Sequence, residues 1–382
     1  MIDLYFENMQ MPSRNEPCWC GSGKKYKRCH LNRQRERSIE PFELDEIIRG
    51  SSDKKYCMHP NAGKDTCAGQ IVKAHTVPTS WLNSIADNGH VFSFRISKPS
   101  LMKLSHSEGS HLPERIGINE ASTFTGFCSK HDSELFKPIE NEPFRICEEH
   151  SMLLAYRAIC RSLFEKEMMY KCLLQVAGII DRGMAPQLQY YHQQRINIEL
   201  FKLNLDIRDL RNLKRSYDEA LTHKDYSKTK YYILSFDSVP EIQCSDAMAP
   251  ICDYEGNKLR EPIAVGALDA LTFSIIPTSN TGKIAFVWLG DSAICLDFIA
   301  SIHKLVNDKL PNVAIRFALS YLENYYWAPT WWDSLNQATK NHIIGKFQPK
   351  SPEGGINPLC MQPDGYNFVN WKISSRDYNF EF

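Results

Sequence analysis

The 382-residue chain lacks an excess of charge of either sign: Lys and Arg together number 45, and so do Asp and Glu. No overall field draws it to nucleic acid or to a membrane, so any such contact has to come from local basic patches. Long apolar runs are missing too. Each hydrophobic stretch is broken by charge, Gly or Pro short of the roughly 20 residues that a membrane-spanning helix needs. The opening Met1-Ile2-Asp3-Leu4-Tyr5-Phe6-Glu7 has neither a basic leader nor an apolar signal core, which points to a cytoplasmic protein without membrane contact. There is no phosphate-cradling glycine loop, no Gly-x-Ser-x-Gly elbow and no internal repeat. The common nucleotide-binding, esterase and solenoid classes are thereby set aside.

Cysteine, by contrast, is plentiful. Thirteen cysteines in a chain without a secretory leader indicate thiols or metal sites in a reducing compartment. Cys147, Cys160, Cys172, Cys244, Cys252, Cys295 and Cys360 are dispersed and read as buried thiols. The others gather in two places.

The first is Asn15-Glu16-Pro17-Cys18-Trp19-Cys20-Gly21-Ser22-Gly23-Lys24-Lys25-Tyr26-Lys27-Arg28-Cys29-His30. Gly21 and Gly23 permit the tight turn that folds the second ligand pair back on the first. So short a segment cannot bury a core, and four soft ligands within it call for zinc. The stretch resembles the SEC-C zinc-binding motif, with His30 in the last ligand position. The resemblance implies a structural and docking knob whose four zinc ligands, Cys18, Cys20, Cys29 and His30, leave no open position for a substrate. Lys24, Lys25, Lys27 and Arg28, continued by Arg33, Arg35 and Arg37, form a basic patch suited to a phosphate backbone or an acidic protein partner. A solvated helix face is the competing reading for 33–37.

The second cluster runs from Cys57 to Asp132. Cys57, Cys67, Cys128 and His131 can make a tetrahedral zinc set, with Cys128 and His131 on one face of a helix start. His59 can replace one cysteine, and buried thiols remain the alternative. Between them, residues 70–75 read as a strand ending in His75, and residues 81–86 as a short helix. Residues 90–94 suggest a strand, 95–121 (with His106 and His111) a polar loop, and 122–127 a strand entering a helix near Cys128. A strand-end His, a second strand and then a helix resemble the HNH, or His-Me finger, endonucleases. That resemblance implies His75 as general base and Asp132 beside a catalytic Mg²⁺ or Mn²⁺. Cys57, Cys67, Cys128 and His131 become the structural zinc set. Ala74 stands where the family usually has Asp, and the family's middle Asn falls to Asn83 or Asn88.

Further on, residues 151–180 and 190–221 carry helical periodicity, the second heptad-like and suited to a hairpin or to pairing with another copy of the chain. After Lys230 the period changes to strands at 231–236, 242–244, 263–265, 271–276 and 284–289. Helices follow at 292–310 and 331–344. Tyr325, Tyr326, Trp327, Trp331 and Trp332 read as core before they read as a base-stacking platform.

The expected architecture is α+β and multidomain. It comprises a zinc knob at 1–37, a linker helix at 38–55, an HNH-like zinc module at 56–140, a helical hairpin at 141–228 and a mixed α+β recognition domain at 229–382. The expected function is metal-dependent cleavage of nucleic acid phosphodiesters, DNA ahead of RNA, in bacterial defence against phage or foreign DNA. It needs two structural Zn²⁺ ions and a catalytic Mg²⁺ or Mn²⁺. The alternative is a non-catalytic zinc adaptor for a protein or ribonucleoprotein partner.

Overall fold

A computed structural model describes residues 11–51, 55–94, 112–261, 269–347 and 356–382. The strand expected at 263–265, together with His106 and His111, lies outside the described residues. The fold is mixed α+β, with antiparallel strands and two Cys/His clusters. It divides into two compact units. One holds residues 11–51 and Glu165–Arg208; the other holds residues 55–94, 112–164 and Asp209–Phe382.

In the first unit the short 3₁₀ turns Tyr26–Arg28 and Arg33–Arg35 precede helix α1 (Pro41–Ser51). Two long helices, α4 (Glu148–Ala177) and α5 (Pro186–His223), contribute residues to both units. Neither has Gly or Pro in its interior, so nothing interrupts the hydrogen-bond ladder, and Pro186 sits at the tolerated first position. Within the first unit they run antiparallel: Lys166 pairs with Asp206 at 3.1 Å, and Gln193 Nε2 donates to Ala177 O at 2.7 Å. Lys224, at a φ of 52°, closes α5 in the left-handed conformation.

The second unit is built on an eight-stranded sheet in the order β10-β5-β8-β7-β6-β9-β2-β3. Its strands are β2 (His90–Ser93), β3 (Glu114–Gly117), β5 (Thr229–Phe236), β6 (Ile242–Met248), β7 (Leu271–Pro277), β8 (Gly282–Leu289), β9 (Tyr325–Trp327) and β10 (Ile373–Tyr378). The central strands β7 and β8 are buried along nearly their whole length; β8 is apolar from Ile284 to Leu289, whereas β7 alternates, with buried Thr272 donating to Val287 O at 3.2 Å and Ser274 to Ser245 Oγ at 3.0 Å. Helices α6 (Ala293–His303) and α7 (Leu310–Tyr321) cover the sheet through Phe298, whose ring meets Phe286 at 6.2 Å, and Phe317, whose ring meets Phe273 and Phe286 at 5.2 and 5.8 Å. The helix start at α6 is capped by Ser292, whose side chain accepts from Cys295 N.

Several local expectations are corrected. Part of the stretch read as loop at 95–121 is strand β3, which pairs with β2. Through β2 and β9 these two strands extend the sheet of the C-terminal half. The helix expected at 292–310 ends at His303, and α7 follows it. Pro311 falls in the first turn of α7, where its missing N–H costs nothing. The helix expected at 331–344 is two helices, α8 (Pro329–Ser334) and α9 (Gln337–Phe347), with β9 just before them. The aromatic run is core, as expected: Tyr325, Tyr326 and Trp327 are at most 1% exposed, and Trp331 and Trp332 are buried too. Of the dispersed cysteines, Cys147 and Cys172 are only half-buried; the others are buried.

Candidate metal centres and the strand-end histidine

In the first unit the knob closes as its glycines require. Pro17 and Lys25 bridge, Cys18 N donates to Lys24 O at 2.8 Å, and Gly21 and Gly23 adopt φ of 79° and 70°. This brings Cys18, Cys20, Cys29 and His30 together, their ligand atoms all within 4.8 Å of one another. His30 Nδ1 lies 3.2 Å from Cys18 Sγ and 3.1 Å from Cys29 Sγ, and Cys20 Sγ lies 3.5 Å from Cys29 Sγ. Tetrahedral Zn–S bonds of about 2.3 Å place sulfurs about 3.8 Å apart, so the set is close to the size zinc needs. Buried Tyr26 packs beneath Cys18 and Cys20. Burial pushes the Cys18 thiol up to about 12, whereas at Cys20 the interactions with His30 and Ser22 outweigh burial and bring the thiol down to about 6. A thiolate ready for a soft metal is thereby favoured.

Lys24, Lys25, Lys27 and Arg28 are all exposed. Arg33 is not part of that surface. It is 9% exposed and its Nε sits 2.5 Å from Asp181 Oδ1. Arg37 is spent on Glu43 at 2.9 Å. Of the basic tail expected at 33–37, Arg33 is internal, while Arg35 and Arg37 stay exposed, Arg37 in a surface ion pair.

In the second unit, strands β1 (Ile71–His75) and β4 (Thr123–Cys128) form a two-stranded antiparallel sheet, helix α2 (Thr79–Ile85) comes after β1, and helix α3 (Ser129–Glu140) follows β4 directly. Cys128 is the N-cap of α3. The peptide at Cys57 is held against β4, Met58 N donating to Gly126 O at 2.8 Å. Cys57, Cys67, Cys128 and His131 converge with ligand atoms within 4.8 Å of one another. His131 Nδ1 is 3.4, 3.7 and 3.3 Å from the three sulfurs in that order. His59 lies outside this set and stacks on His131 instead. Burial pushes the Cys57 thiol up to about 11, a cost that a bound cation would remove.

The ladder register pairs Ile71 with Cys128 and His75 with Thr123, so His75 and the Cys/His cluster lie at opposite ends of the β1–β4 ladder. The end bearing His75 is fixed from behind. Thr76 N donates to Ser122 O, Val77 N donates to Ser122 Oγ at 2.9 Å, and Ser122 is itself held by Asn324 and Tyr326. His75 is half-buried, and its Nε2 lies 3.0 Å from Ile118 O. A carbonyl oxygen can only accept, so Nε2 carries the hydrogen and Nδ1 keeps its lone pair. Burial lowers the His75 pKa, and Arg157 adds to that effect; the ring is neutral near pH 7.

Asp132 follows His131 in the first turn of α3. Burial raises its pKa, Arg157 opposes the rise, and its Oδ1 is a buried oxygen with no partner. Arg157 and Glu140, themselves paired at 2.8 Å, thus act on both His75 and Asp132. The Arg157 guanidinium lies over the Phe136 ring at 3.8 Å, fully buried, with Nε and Nη1 unpartnered. Buried Thr76 Oγ1 is unpartnered as well. Asn83 and Asn88 are exposed.

The sequence offers no signal for Arg157, Glu140 or Asp181, since each reaches its partner across the fold. Among the described residues, no helix is long and apolar enough to cross a membrane. The clusters mark a protein that could bind zinc in two places.

Residues 14–32 match the family of the SEC-C motif. A segment of 23 residues is 74% identical to the protein translocase subunit SecA of three strains of Pseudomonas putida, covering 6% of this chain and 2% of each relative. The chain therefore shares only this small piece with those relatives. No solved structure matches it.

Proposed function

We propose that the chain is a metal-dependent nuclease of the HNH type, acting on DNA ahead of RNA and used against phage or foreign DNA. The observation that carries the reading is the strand–strand–helix unit with a neutral His75 at the strand end. Its Nε2–H is fixed by Ile118 O and its Nδ1 is left to accept a proton. A base so arranged takes the proton from a water attacking phosphorus. Asp132, with one buried oxygen unpartnered, fits a hard cation such as Mg²⁺ or Mn²⁺, which would supply charge stabilisation at the phosphate. Cys57, Cys67, Cys128 and His131 would hold a closed structural zinc that fixes the β1–β4 pair to α3. The exposed Lys24, Lys25, Lys27 and Arg28 would attract the nucleic acid backbone.

A second reading is a zinc-dependent adaptor with no catalysis, docking a protein or ribonucleoprotein through the knob. It is favoured by Ala74, fully buried, where the HNH pattern usually carries an acid.

Plasmid nicking in Mg²⁺ or Mn²⁺ separates the two. Under the nuclease reading His75→Ala lowers the rate by about 100-fold or more. Absence of cleavage in the unaltered protein, or cleavage that ignores the substitution, leaves the adaptor.

A further inference from the structure

The first Cys/His cluster is joined to a residue far along the chain. His30 presents Nδ1 to the sulfurs and turns Nε2 to Asp181, 2.9 Å away and 151 residues later in sequence. Asp181 lies in the turn between α4 and α5 and is completely buried. Its carboxylate is also reached by Arg33 Nε at 2.5 Å and by Gln193 Nε2 at 2.9 Å. Arg33 in turn donates to Gly178 O, and Gly183 N donates to Arg33 O at 3.1 Å. One carboxylate therefore gathers a ligand histidine, the segment just after the cluster and both sides of the helical turn.

We propose that Asp181 is the outer carboxylate of the metal centre formed by Cys18, Cys20, Cys29 and His30, so that loading this centre and packing the α4–α5 turn are a single equilibrium. The proposal rests on the metal reading of that cluster and is independent of the nuclease reading. The physical reason lies in the imidazole. A neutral histidine that binds metal through one nitrogen carries its hydrogen on the other, and a carboxylate accepting from that second nitrogen both fixes the tautomer and strengthens the ligand. Trp19 strengthens the coupling: its ring lies 4.5 Å from that of His30 and 5.5 Å from that of Tyr190 on α5. The coupling is reciprocal. Whatever loosens the turn weakens the metal, and whatever removes the metal frees the ring that Asp181 holds. Asp181 is a positioning residue in this account, since it does not enter the ligand set.

The test uses the full chain, zinc and a chromophoric chelator, with hydrogen exchange to locate each metal. In Asp181→Asn, which keeps the shape, zinc affinity at residues 14–32 falls about 10- to 100-fold, while the second cluster is unchanged. Gln193→Ala, which removes one donor to the same carboxylate, gives a smaller loss in the same direction and covers the case in which Asp181→Asn folds poorly. Chelation of the unaltered protein speeds exchange across residues 178–197. Wild-type affinity in both variants, or an α4–α5 turn indifferent to chelation, overturns the proposal. Absence of metal from residues 14–32 in the unaltered protein overturns the metal reading itself, a different and recognisable result.

Discussion

The ring of His131 lies flat against that of His59, centroids 4.0 Å apart and planes 4° from parallel. Only one of the two faces the sulfurs. His59 spends its Nδ1 on Asn61 N at 3.1 Å, and burial together with the nearby His131 and Lys214 lowers its pKa to about 4. It is a neutral plate that holds the ligand ring in orientation. His59→Ala is therefore expected to keep two zinc ions per chain but to release the second more easily. Cys128→Ser, which removes a ligand, leaves about one. Metal counting by mass spectrometry under native conditions decides it, and loss of a zinc from the His59 variant at saturating metal would make that residue a ligand after all.

His75 should impose a pH signature on cleavage. Its lowered pKa stems from burial first, aided by Arg157 and Lys73, against the raising effects of the Ile118 carbonyl and Glu140. A base works only when neutral, so activity is lost as pH falls through this lowered value. The acid limb of the rate profile is expected below about pH 6.5, the ordinary histidine value. A limb at or above that point would show that the group being titrated is not this imidazole in this setting.

Local chemistry makes the two Cys/His clusters legible in the sequence. Cys18, Cys20, Cys29 and His30 fall within one turn-forming segment, and Cys128 and His131 share a helix start, so spacing aligns these; Cys57 and Cys67 are brought to the second pair only by the fold. The long helices were visible for the same reason: about thirty residues without Gly or Pro sum many small preferences in one direction. What escaped is non-local. Strand β3, Glu-Arg-Ile-Gly, has no pattern of its own and exists because β2 offers it an edge. Asp181 and Arg157 look like ordinary charges in helical or turn sequence; only tertiary packing makes one the partner of His30 and the other the buried neighbour of His75. Helix α7 was not expected; Pro311 sits in its first turn, where the missing N–H costs nothing.

Asp364 should make the second unit sensitive to acid. Burial would raise its pKa, yet Arg316 at 2.9 Å, His342 at 2.7 Å and Lys346 at 3.1 Å hold it well below the usual carboxylate range. A carboxyl whose folded pKa is depressed contributes stability above its unfolded value of about 4, and that contribution is lost as pH falls through the folded value. Asp364→Asn is expected to cost about 2 kcal/mol at neutral pH. The gap between variant and parent should shrink as pH drops below about 4. Urea midpoints across a pH series measure this; a gap that stays constant into strong acid would mean the carboxylate's charge is not what holds the cluster.

Gly183 is expected to tolerate no side chain. Its φ is +74°, and a Cβ there would meet Ser38 Oγ at 2.5 Å and Glu36 O at 2.9 Å. The first conflict strains the backbone, and the second is against a carbonyl that cannot swing aside. Relief requires the α4–α5 turn to move away from residues 36–38, which also pulls Gly183 N from Arg33 O. Gly183→Ala should therefore destabilise the first unit by about 1–3 kcal/mol. Because Arg33 shares Asp181 with His30, the variant should also give up zinc from residues 14–32 more readily. Hydrogen exchange reads both effects at once. Faster exchange confined to residues 178–197 and 14–37, with the eight-stranded sheet unaffected, is the expected pattern. A variant as protected as its parent in both segments would mean the turn has room to yield and does not brace the knob.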